Sequence, residues 1–82
     1  MIRVQFFASI RESIGTAGTS VEGEGIVSVA DLVDHLCTVH PHWEEALKTD
    51  KVLVALNQEM TTMSARVIDG DEVALFPPVT GG

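Results

Sequence analysis

Apolar and polar positions alternate along the first ten residues, MIRVQFFASI. Ile2, Val4, Phe6, Ala8 and Ile10 fall on one face, and Arg3, Gln5, Phe7 and Ser9 on the other. This period of two predicts a strand with its first face buried, and it leaves Phe7 among polar neighbours. RESIG supplies one helical turn closed by Gly15, and TSVEGEGI reads as a weaker, acidic strand suited to a sheet edge. The period then changes. In SVADLVDHLCTVH, Val29, Leu32, Val33, Leu36 and Val39 or His40 recur at helical spacing, with Ser28 and Asp31 in capping-box positions. Pro41 disfavours helical geometry at His40 and ends that helix. HWEEALK adds a short helical piece whose Trp43 packs on the domain. KVLVALN is rich in strand formers, and QEMTTMSARVI is irregular with room for a short strand, which puts Met60 in a loop. DGDEVALFPPV opens on an Asp-Gly turn and enters a last strand. There Val73 and Leu75 share one face, Ala74 and Phe76 the other, and Pro77 and Pro78 end the pairing.

The predicted order is β-β-α-β-(β)-β. Its economical packing is an α+β two-layer domain: a mixed four- or five-stranded sheet against one main helix. The β-grasp arrangement fits, with the first and last strands side by side in mid-sheet. The 82 residues, 45% of them hydrophobic, suffice for one domain with a core. Residues 1–76 are read as that domain and residues 77–82 as an extended tail.

Charge narrows the partners. The formal net charge is −7, so nucleic acid and anionic membrane are poor partners and a basic protein surface is a good one. The lone Cys37 excludes an internal disulfide framework and a cysteine-based zinc site, and it reads as a small core residue. With no secretory signal or spanning run in this sequence, a cytoplasmic location is expected. His35 and His40 do not share a helical face, and no carboxylate completes a ligand set with His42, so no metal is expected. No Ser-His-Asp set or carboxylate pair suggests catalysis by the chain alone, and no nucleotide-binding loop is present.

The last residues, LFPPVTGG, carry the candidate chemistry. Glycine has no Cβ, so Gly81 and Gly82 present the narrowest cross-section a polypeptide offers. Pro77 and Pro78 favour an extended path, from which Val79, Thr80, Gly81 and Gly82 would reach about 13 Å. A carboxylate at that tip is a weak nucleophile and a poor electrophile. It needs activation, for example as a mixed anhydride with AMP, before a sulfur source can convert it to a thiocarboxylate. Read as residues alone, the same stretch is also compatible with a frayed end. Phe7 and Phe76 project from strands that neighbour each other in a β-grasp sheet, which makes them an exposed aromatic patch unless a loop covers one. Met60 reads either as part of that patch or as a satellite core residue. Arg11 can pair with an acidic group on a partner or, the reading preferred here, locally with Glu12 or the edge strand, and Glu22 and Glu24 are assigned to solvent.

VQFFASIRESIG near the start, VLVALNQ in the middle and DGDEVALFPPVTGG at the end together resemble the family of small, sulfur-carrier subunits of molybdopterin synthase. The resemblance covers essentially the whole chain, and FPPVTGG is its specific part. It implies a ubiquitin-like β-grasp fold. It also implies that an ATP-dependent partner enzyme adenylates Gly82, that sulfur is installed as a C-terminal thiocarboxylate, and that Val79, Thr80 and Gly81 follow Gly82 into the large synthase subunit. Sulfur then passes to a cyclic pterin precursor in molybdenum cofactor biosynthesis, within a heterotetramer of two large and two small subunits. Phe7, Met60, Phe76, Pro77 and Pro78 are the residues it points to for binding the large subunit. No cofactor is expected on the chain itself; ATP belongs to the activating enzyme. Related readings of the same tail are a sulfur carrier for thiamine thiazole synthesis and a ubiquitin-like protein modifier.

Overall fold

The computed structural model describes residues 1–49 and 51–78. Five strands form one mixed sheet in the order β2-β1-β5-β3-β4. They are β1 (Ile2–Phe6), β2 (Gly18–Val21), β3 (Leu53–Leu56), β4 (Glu59–Thr61) and β5 (Glu72–Phe76). β1 and β5 run parallel at the centre, and the remaining pairs are antiparallel. The helices are α1 (Ala8–Ile14), α2 (Val29–Val39), a 3₁₀ turn at Pro41–Trp43 and α3 (Glu44–Leu47).

All of them bury their apolar sides in one cluster on one face of the sheet. Ile2, Val4 and Phe6 of β1, and Val73 and Leu75 of β5, point into it, as do Leu32 and Val29 of α2. Trp43 is buried and meets Phe6 edge-on, with ring centroids 5.4 Å apart. His40 stacks on Trp43 at 3.8 Å, nearly parallel, so this histidine serves packing.

α2 is held at its start from two directions. Ser28 Oγ accepts from the Asp31 N–H, and Asp31 Oδ2 accepts from the Ser28 and Val27 N–H groups. The next N–H groups, of Val29 and Ala30, donate to the carbonyls of Ala65 and Met63. The loop before β5 thus satisfies donors that a helix cannot satisfy internally.

Three expectations change. The first strand stops at Phe6 and does not run to Ile10. Ala8 adopts φ 52, turning the chain out of the sheet, and Ile10 reaches the core from α1 while Ala8 is exposed. Ile10 and Ile14 are four apart, so a helix puts both on one side. Val39 is exposed: β2 is an edge strand of the sheet, and no strand among the described residues lies beyond it to cover the final turn of α2. Cys37 takes the buried place. Met60 lies in β4 and not in a loop, paired with Ala55.

Candidate functional site

With every helix on one side, no element among the described residues covers the other face of the sheet, and strand register says what occupies it. Gln5 lies opposite Ala74, Ala74 opposite Ala55, and Ala55 opposite Met60. This row crosses four strands and carries small side chains at its middle. One row further along, Phe7 follows Phe6 beyond the end of β1, its N–H donating to the Leu75 carbonyl at 3.1 Å. Its ring meets Phe76 edge-on at 6.5 Å, and Phe76 pairs with Leu53. Phe7 and Met60 are 42% and 61% exposed, whereas Ala55 between the larger side chains is 8% exposed. The result is a shallow apolar floor walled by Phe7, Phe76, Leu53 and Met60.

The opposite end of the same face is polar. Glu72 receives Arg3 at 3.4 Å and Gln5 Nε2 at 3.3 Å. Asn57 continues the β3–β5 ladder: its N–H donates to the Glu72 carbonyl, and its side-chain oxygen accepts from the Glu72 N–H. Its side-chain amide donates to Asp71 at 3.0 Å. That bond, with the Ile68 N–H on the same carboxylate at 2.9 Å, holds Asp71 below the usual carboxyl range, the backbone donor being the larger cause.

The chain leaves this face at its apolar end. Pro77 and Pro78 follow Phe76 and are half-buried. Val79, Thr80, Gly81 and Gly82 lie outside the described residues. Register thus places Phe7, Met60 and Phe76 on one face, Met60 one row in from the two phenylalanines, and Pro77 and Pro78 follow Phe76 in the chain. Leu53 and Ala55 belong with them and were missed from the sequence, although their alternation with Val54 carried the signal. Arg11 is exposed on α1 and forms no ion pair among the described residues, in place of the local pair assigned to it.

The described residues present a surface suited to binding. Among them no three His, Cys, Asp or Glu side chains are grouped to hold a metal ion. Burial pushes the Cys37 thiol up, against the smaller opposing pull of Lys48, so it stays protonated inside the core. Lys48 is itself raised by its contact with Asp34 at 2.7 Å. No helix of the described residues is long and apolar enough to cross a membrane.

A mixed sheet with parallel central first and last strands, grasping one main helix, defines the ubiquitin-like β-grasp class. The Haloferax volcanii small archaeal modifier protein 1 shares it: its crystal structure superposes with a TM-score of 0.80 at 32% identity, covering 99% of this chain and 98% of that one. Residues 4–82 match the model of the ThiS family, and the chain belongs to that family. It is 44% identical over 82 residues to the molybdopterin synthase sulfur carrier subunit of Escherichia coli K12, covering 100% of both chains. To the corresponding Haemophilus influenzae subunit it is 42% identical, again over the whole of both.

Proposed function

We propose that this chain is the sulfur-carrier subunit of a molybdopterin synthase and that its reacting group is the carboxylate of Gly82. The observation that carries the proposal is the similarity to two such subunits over their full lengths, with a family match that runs to Gly82. An ATP-dependent enzyme converts the carboxylate to an acyl adenylate with loss of pyrophosphate. A sulfur nucleophile displaces AMP and leaves a thiocarboxylate. The large synthase subunit receives the tail, and the sulfur passes to a cyclic pterin precursor.

Within this reading the chain's own surfaces divide the work. The apolar floor around Phe7, Phe76 and Met60 binds the large subunit, since aromatic residues in such patches commonly dominate association. Pro77 and Pro78 set the direction of departure, because a fixed φ restricts the paths open to the tail. Val79, Thr80, Gly81 and Gly82 enter a channel in the partner that a side chain at the last two positions would block.

Two variants test this: deletion of Gly82, and addition of one alanine after it. With purified large subunit and activating enzyme, both lose pterin sulfuration while circular dichroism and thermal unfolding stay as in the parent. Sulfuration by either variant at the parent rate would end the proposal. The 33% identity to the Haloferax modifier protein favours a second use of the same carboxylate, conjugation to lysines of other proteins. High-mass ladders that react with antibody to this chain and vanish on deletion of Gly82 would support it.

A further inference from the structure

We propose that the free edge of β2 is a second docking site, taken by an extended segment of another protein that is apolar at alternate positions and carries lysine or arginine at one end. This goes beyond the sulfur-carrier reading, because it uses neither the tail nor the apolar floor.

β2 pairs with β1 and with no other strand among the described residues. Opposed residues in an antiparallel pair alternate between exchanging two hydrogen bonds and exchanging none. Phe6 N–H donates to the Ala17 carbonyl, so Val4 with Thr19 and Ile2 with Val21 are the bonded pairs. Gly18 and Ser20 therefore turn their backbone groups outward. The Gly18 carbonyl accepts from the Thr16 hydroxyl at 3.2 Å, and both Ser20 groups have no hydrogen-bond partner among the described residues. Natural edges are commonly blocked by lysine, proline or a bulge. Gly18–Val21 contains neither of those residues.

Beside this edge runs a groove of about 390 Å³ between β2 and the last turns of α2. Thr19 and Val21 form one wall, and Leu36 and Val39 the other. Val39, the last residue of α2, is 56% exposed and carries the apolar stripe of that helix out to the groove. A strand added to β2 would bond to Ser20 and lower every second side chain onto Val39 and Leu36. Main-chain bonds with alternate side-chain pockets are the general form of recognition by strand addition.

Charge selects the occupant. Glu22 and Glu24 line the same groove and are exposed. A second copy of this chain carries −7 and would be repelled, whereas a basic segment is attracted.

The test uses a fluorescein-labelled peptide, Lys-Lys-Val-Thr-Val-Thr-Val-Thr, against the full chain, with a partner peptide in which both lysines are glutamate. The basic peptide should shift backbone amide resonances of residues 19–22 and 35–40 and leave Phe7 and Phe76 unmoved. The acidic peptide should bind at least about tenfold more weakly, because it meets Glu22 and Glu24 with like charge. Ser20→Pro removes an outward N–H without touching the β1 ladder, and Val39→Lys places a cation on the wall. Each should weaken the basic peptide by about tenfold or more. Deletion of Gly82 should change nothing here, so the two proposals fail separately. Equal binding of both peptides, unchanged binding by both variants, shifts centred on Phe7, Met60 and Phe76, or no binding of the basic peptide would overturn the proposal.

Discussion

Ala8 is where a single residue decides what the surface shows. Its φ of 52 is a left-handed conformation, which costs an L-residue with a Cβ about 1–2 kcal/mol. The turn it makes follows the end of β1 at Phe6 and leaves Phe7 standing on the uncovered face beside Phe76. Glycine would relieve that cost and lose about 0.5–1 kcal/mol in chain entropy, so Ala8→Gly should be neutral or stabilising by up to about 1.5 kcal/mol. Ala8→Val should destabilise by about 1 kcal/mol or more, a β-branched residue being a poor fit at positive φ. Urea unfolding of the two variants checks the order; a valine variant as stable as the glycine variant would contradict it. The aromatic pair has its own prediction. Phe7→Ala with Phe76→Ala should weaken assembly with the large subunit by about 2 kcal/mol or more, roughly 30-fold, in a calorimetric titration. Unchanged affinity would remove the floor from the account and leave the tail chemistry standing. Phe7 and Phe76 were legible in the sequence because a period of two needs no tertiary information. The left-handed turn at Ala8 was not, because alanine gives no sign of positive φ.

At the scale of elements, the connections explain what the sequence hid. β3 and β4 join through Asn57 and Gln58, both at positive φ, which is the geometry of a tight hairpin turn. Asn57 hints at it, but Gln58 is not a turn residue, so the sequence leaves room for a short strand without fixing its bounds, and Met60 falls in β4 where a loop is expected. α2 was legible nearly to the residue, since its capping box and Pro41 mark both ends locally. Its exposed last turn was not, because the limit of the sheet is a tertiary fact. The β3–β5 seam also predicts a pH response. Asp71 is held below its ordinary range by the Ile68 N–H and the Asn57 amide, so its ionised form favours the folded state. That contribution is present above the unfolded carboxyl value, near 3.9, and is lost as pH falls through the lower folded value. Asp71→Asn should reduce stability at neutral pH and flatten its decline over that acid range, as read by thermal unfolding from pH 6 downward. A parallel decline in parent and variant would show that other carboxylates govern it.

Across the whole molecule, one side of the sheet is spent on the core and the other is not covered by any described element. The uncovered face is polar at the Glu72 end and apolar at the Phe76 end, and the chain departs from the apolar end. A partner that covers the floor would therefore meet the tail beside it. The α+β class, the central first and last strands and the single main helix were all readable from periodicity and order. The exact composition of the floor was not, because Leu53, Ala55 and Met60 join it only through strand register. The central claim is the chemistry of Gly82, and intact-protein mass spectrometry tests it most directly. The chain is purified from its own host and compared with the chain made in cells that lack the activating enzyme. The account predicts a species heavier by the replacement of one oxygen with sulfur, localised to the C-terminal peptide and absent without that enzyme. A single unmodified mass in both preparations, under conditions in which the host makes molybdenum cofactor, would contradict it.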